Sequence, residues 1–182
     1  MRNSEGFLGF IDLRRSYAVI DVETTGFNPA VDRVVEVACV QIHDGDIVGT
    51  WSSLVNPQRP IPPQASAIHG IYDVDVVNAP AFEHVEAHLL GLCSESVVVA
   101  HNASFDLGFL PALAAARPSL CSLQLARRAF PLAPNHKNQT LRYYLRLDDD
   151  PLIAGLGAHR ALADALVTTA IFLRCARTLR RP

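Results

Sequence analysis

Asp21 and Glu23 stand two residues apart at the end of an apolar run, in VIDVETTG (residues 19–26). On a strand, residues two apart point to the same face, so both carboxylates project side by side. Unpaired charges on a buried face are costly, and like charges that close repel. A divalent cation resolves both problems. Taken alone the pair is a weak signal, because acids two apart are common on solvated strand ends.

Two further stretches add acids. In AHNASFD (100–106) an apolar strand ends, a loop follows, and Asp106 falls in the first turn of a helix that Asn102 or Ser104 would cap. By itself such an acid only complements the helix dipole. His101 is expected to fix this loop by hydrogen bonding. In AHRALADA (158–165), Asp164 shares a helix face with Ala161, Val167, Thr168 and Ile171, where an acid is out of place. His159 lies five residues earlier, ~140° around an ideal helix of 3.6-residue period. The two converge only if His159 precedes the regular helix, and Gly155 and Gly157 supply a flexible approach. Four acids with a histidine and no paired cysteines suit a hard cation, Mg²⁺ or Mn²⁺, rather than zinc.

The elements that must position these residues follow from pattern. Residues 17–22 and 33–42 read as strands, 43–46 as a hairpin turn around Asp44-Gly45, and 46–55 as a third strand. Four prolines within 56–63 exclude a regular element there. Residues 64–71 read as a short helical turn and 81–93 as a helix, with Phe82, Val85, Leu89 and Leu92 on one face. A short strand at 96–100 precedes a helix at 104–116, interrupted near Pro111. Another strand is expected at 120–123, with helices at 122–130, 139–147 and about 161–179. The fold class is α/β: an antiparallel three-strand meander joined to parallel strands in a mixed sheet flanked by helices.

The chain has 182 residues, 49% hydrophobic and 19% charged, enough for one packed domain. The expected boundaries are an N-terminal extension over 1–16, poorly ordered, and a single domain over 17–182. No apolar run reaches the ~18–20 residues of a membrane span. Glu5 and Asp12 interrupt any export signal, and four unpaired cysteines suit a reducing, cytoplasmic setting. A net charge of −2 excludes the strongly basic footprint of a dedicated duplex binder. A nucleic-acid partner would be held locally, with Arg127, Arg128, Lys137, Arg142 and Arg146 as candidates for a strand-binding groove.

DVETTG, HNASFD and HRALADA together resemble the three sequence blocks of the DEDDh-type (DnaQ-like) 3′→5′ exonucleases, the family that includes the proofreading epsilon subunit of bacterial DNA polymerase III. IHGI (68–71) resembles the short block between the first two. The resemblance covers about Tyr17 to Arg174. It implies an RNase H-like fold, two Mg²⁺ or Mn²⁺ ions on Asp21, Glu23, Asp106 and Asp164, and His159 as general base. It further implies that Thr24 contacts the terminal nucleotide and that His69 lies near it. Phe105 is expected to serve core packing rather than stacking.

The implied activity is hydrolysis of single-stranded DNA from its 3′ end, releasing nucleoside 5′-monophosphates. RNA or short oligoribonucleotides are the alternative substrate, and an inert binding module of the same fold is the alternative class. Two departures stand out: residues 119–127 lack an acid often found there, and no polymerase-binding tail follows before Pro182. The expectation is therefore a stand-alone enzyme or one that docks differently; polymerase association and homodimerisation both stay open.

Overall fold

The computed structural model describes residues 11–179. β1 (Tyr17–Thr24), β2 (Val34–His43) and β3 (Asp46–Leu54) form the antiparallel meander, closed by a turn in which Asp44 and Gly45 both take positive φ. β4 (Val97–Ala100) and β5 (Ser119–Cys121) then add in parallel, giving a five-stranded sheet in the order β3-β2-β1-β4-β5. This is the mixed sheet that the pattern predicts.

Helices cover both faces, as a sheet with parallel strands requires. Alternation along β1 divides its side chains. Ala18, Ile20 and Val22 join a core with α3 (Phe82–Leu92), α4 (Ala103–Phe109) and α5 (Pro111–Ala116). Tyr17 and Val19 face the other way, into a core with α6 (Ser122–Ala129), α7 (Asn138–Tyr144) and α8 (Ala161–Leu179). By the same alternation Asp21 and Glu23 continue the face that meets α8. A smaller cluster of Val35, Ile61, Ala65, Ile71 and Val76 seats α1 (Pro63–His69) and α2 (Asp73–Val76).

Differences from the sequence reading have local causes. Pro63 opens α1, because proline is tolerated in a first helical turn. Pro111 divides the expected 104–116 helix into α4 and α5. The 139–147 helix stops at Tyr144 and continues as a 3-10 turn, Leu147–Asp149. α2 carries no four-residue signal that periodicity can detect.

Of the expected N-terminal extension, residues 1–10 lie outside the described residues. Its end packs: Ile11 and Leu13 are buried in the α8-side core, and Tyr17 Oη donates to the Asp12 carbonyl at 2.9 Å. Cys39, Cys93 and Cys175 are buried free thiols. Among the described residues no helix is long and apolar enough to cross a membrane.

Candidate active site

β1 delivers Asp21 and Glu23 at its end, beside a register irregularity between Glu23 and Thr24. The turn that follows is tightly bonded. Thr24 Oγ1 donates to the Gly26 carbonyl at 2.6 Å. Asp32 accepts from the Asn28 N–H at 2.9 Å and from Thr25 Oγ1 at 3.3 Å. A Cβ on Gly26 would stand 2.5 Å from the Asp32 carboxylate, so any larger residue here must displace that side chain from its bonds to Asn28 and Thr25.

α8 delivers Asp164 from its first turn. Asp21, Glu23 and Asp164 each offer an oxygen within 4.8 Å of the others. Asp106, in the first turn of α4 and 3% exposed, flanks this group and repels the Asp21 charge. The cap expected from Asn102 is a backbone one: Asn102 takes a left-handed conformation without a side-chain cap, and its carbonyl accepts from the Phe105 N–H. His101 fixes the loop as expected, bonding Ser122 Oγ at 2.9 Å and the His136 carbonyl at 2.8 Å.

His159 precedes α8, with φ 59°. Its N–H donates to Asp164 Oδ2 at 2.9 Å, while Gln139 Nε2 donates to Oδ1 at 2.9 Å. Both Asp164 oxygens are thereby oriented. The His159 side chain is exposed.

The electrostatics favour a cation. Burial pushes Asp21 well above the ordinary carboxylate range, and Asp106, Asp164, Glu23 and Glu36 repel it further. Burial, then Asp164, raises Glu23 to about 8. Burial raises Asp106 to about 7, against backbone N–H groups that pull it down. Burial also raises Asp164, opposed first by the His159 N–H. Among the described residues none of these four carboxylates has a salt-bridge partner. An all-oxygen set of mutually repelling, desolvated acids fits a hard divalent ion.

A cavity of about 420 Å³ adjoins the cluster, lined by Glu23, Thr24, Phe27, Ile68, His69, Phe105 and His159 among others. Thr24 and His69 are both buried in its wall. The Ile71 N–H donates to His69 Nδ1 at 3.1 Å, which leaves the neutral ring's proton on Nε2. Burial lowers the His69 pKa, and the Thr24 backbone partly offsets this. Phe105 packs against the α3-side core and lies 6.3 Å from the exposed ring of Phe27.

One member of the expected cationic groove needs correction. Arg142 is buried and structural: it bonds Asp148 at 2.6 Å and the carbonyls of Leu156 and Ile153 at 2.8 and 3.1 Å. Arg146 pairs with Asp149 at 3.2 Å. Arg127, Arg128 and Lys137 are exposed. Sequence reasoning missed Gln139, Glu36 and Arg160. Glu36 left a signal, since it shares the β2 face of Ala38, Val40 and Ile42, an apolar face where an acid is anomalous.

Residues 18–172 match the family model RNase_T, described as Exonuclease. Exodeoxyribonuclease 10 of Escherichia coli K12 is 40% identical over 155 residues, 85% of this chain and 66% of that protein. A PolC-type DNA polymerase III of Thermotoga petrophila is 36% identical over 176 residues, 91% of this chain but 12% of the polymerase. The chain thus spans only a small part of that relative. Among solved structures, exonuclease X in complex with 5′ overhanging duplex DNA superposes with a TM-score of 0.76 at 38% identity, covering 89% of this chain and 92% of that one.

Proposed function

The chain belongs to the exonuclease family of the DnaQ-like 3′→5′ type, and from that premise we propose that it hydrolyses single-stranded DNA from the 3′ end, releasing nucleoside 5′-monophosphates. One observation carries this reading: three carboxylates converge within 4.8 Å, and Glu23 of that group lines a cavity that is largely apolar and rimmed by His159. A site of that kind takes a base and sugar in the cavity and a phosphodiester at the acids.

Asp21, Glu23 and Asp164, with Asp106 beside them, would hold two Mg²⁺ or Mn²⁺ ions. When bound, such ions supply positive charge to the attacking and leaving oxygens of a phosphodiester. The protein supplies the rest. Phe27, Ile68 and Phe105 offer apolar walls to the terminal base. Thr24 and His69, buried beside them, bound the sugar. Asp164 is oriented before substrate arrives, because the His159 amide and Gln139 hold one oxygen each. His159 accepts the proton of the attacking water through a ring nitrogen, a step typically worth 10²–10⁴ in rate.

DNA and RNA strands of one sequence, assayed side by side with Mg²⁺ or Mn²⁺, test the substrate. Faster release of deoxynucleoside 5′-monophosphates supports the proposal. Faster release from RNA would reassign the enzyme to exoribonuclease work, and 3′-monophosphate products would contradict the mechanism.

A further inference from the structure

Glu36 and Arg160 lie outside the acid cluster, yet both are tied to it through the backbone. Glu36 sits on β2 directly opposite Glu23 on β1. Like charges directly opposed on neighbouring strands are destabilising. The Glu36 side chain is 5% exposed, so water does little to screen it. Arg160 answers that charge. Its Nε and Nη2 meet the two Glu36 oxygens at 3.1 and 2.7 Å, a forked pair. The backbone N–H of Ala161, the first residue of α8, donates to Glu36 Oε2 at 2.9 Å.

One buried carboxylate on the sheet therefore satisfies a helix-start N–H that would otherwise be orphaned. It also grips the residue before that start. Immediately beyond the grip is His159, whose left-handed backbone is uncommon for a residue other than glycine and is held only where its surroundings fix it. The His159 N–H in turn holds Asp164. The path from β2 to the acid cluster runs through three consecutive residues, 159 to 161.

We propose that Glu36 and Arg160 are positioning residues for proton transfer: together they hold His159 in its left-handed conformation, which sets both its imidazole and the orientation of Asp164. Neither touches the substrate. The proposal rests on the reading of His159 as the base. Arginine serves this role better than lysine, which keeps the charge but offers no fork to a carboxylate.

The test begins with Arg160→Ala, whose side chain is 53% exposed, so its removal leaves no hole in the core. On single-stranded DNA, kcat falls roughly 10- to 100-fold while KM stays within about two-fold, the pattern of a small misplacement of a catalytic group. Arg160→Lys recovers part of the loss. Glu36→Gln, which keeps an acceptor for the Ala161 N–H but loses the ion pair, behaves like Arg160→Lys. In a His159→Ala background, Arg160→Ala costs less than it does alone, because only the part that acts through Asp164 remains. A raised KM with unchanged kcat would make Arg160 a phosphate contact and overturn the proposal, as would a full additive loss in the double variant.

A second readout needs no activity. The ¹⁵N–¹H resonance of the His159 amide shifts strongly in Arg160→Ala, while those of Ala18 and Ile20 on β1 hold still. An unmoved His159 amide overturns the positioning role whatever the kinetics. A wild type inert on nucleic acid, with the amide shift still present, would sink the functional reading and leave the positioning intact.

Discussion

The site is assembled from two halves held by different means. Asp21 and Glu23 belong to β1, where both pair antiparallel with β2, just beyond the residues 17–19 that also pair with β4. Their positions follow from backbone register, which no single side chain controls. His159 and Asp164 belong to a loop and a helix start, fixed by side chains: Glu36 and Arg160 from one direction, Gln139 from another, and Arg142 behind. A ladder distributes its support over many bonds, whereas a pinned loop loses its geometry one pin at a time. The strand half is thus held by many backbone bonds, and the loop half is where single side-chain variants can shift the geometry without touching an acid.

The largest effect should come from the converged carboxylates, two of which stand in the strand half. Asp21→Asn or Glu23→Gln is expected to lower kcat by about 10³-fold or more, as for residues acting as a unit. The far-ultraviolet circular dichroism should be unchanged. A variant retaining activity within a few-fold would break the comparison at its firmest point.

In the loop half, His159→Ala should cost roughly 10²–10⁴ in kcat, the span of general-base catalysis. Mn²⁺ binding by calorimetry should persist, because only the His159 backbone meets an acid. Lost Mn²⁺ binding would mean the side chain serves as a ligand instead.

Arg142→Ala should act on stability before chemistry. It leaves the Leu156 and Ile153 carbonyls without their donor, a cost of about 2–6 kcal/mol at ~1–3 kcal/mol for each unsatisfied group. A fall in Tm with residual activity on the folded fraction is the expected result. An unchanged Tm would show that the loop does not depend on this pin.

The acids also predict a pH effect. Glu23, raised to about 8, and Asp106, raised to about 7, hold protons in the metal-free fold that the unfolded chain has released. Groups raised in this way contribute stability that is complete below their unfolded pKa and lost as pH rises through the folded value. Metal-free protein should therefore lose Tm between about pH 4.5 and 8. Excess Mg²⁺ or Mn²⁺ should reduce that loss, since metal binding competes with protons. A metal-free Tm that rises over this range would contradict the repulsion.

Gln139→Ala should be mildest. It frees one Asp164 oxygen and costs about 1 kcal/mol of stability, a single hydrogen bond's worth. Mn²⁺ affinity should weaken slightly. No change in affinity would remove Gln139 from the set of pins.

The two halves also differ in how far they could be read in the sequence. Asp21, Glu23 and Asp106 were legible because period-two alternation and a helix start are local rules. The position of His159 was legible for a geometric reason: only a loop placement lets it approach Asp164. The pins were not. Arg142 reads like any helical surface cation, because the carbonyls that capture it lie 11 and 14 residues further on. Glu36 stood out as an acid on an apolar strand face, but its partners are 124 and 125 residues away. Gln139 carried no signal at all. Local pattern exposes the candidate site residues, while the residues that hold them depend on contacts only the folded chain creates.

The most direct test of the account follows a 5′-labelled single-stranded DNA in the presence of Mg²⁺ or Mn²⁺, with the wild type and Asp164→Ala. A ladder shortening from the 3′ end is expected with the wild type, abolished by EDTA and absent with the folded variant. Undiminished shortening by Asp164→Ala, or indifference to EDTA, would contradict the claim that the converged acids and their cations perform the reaction.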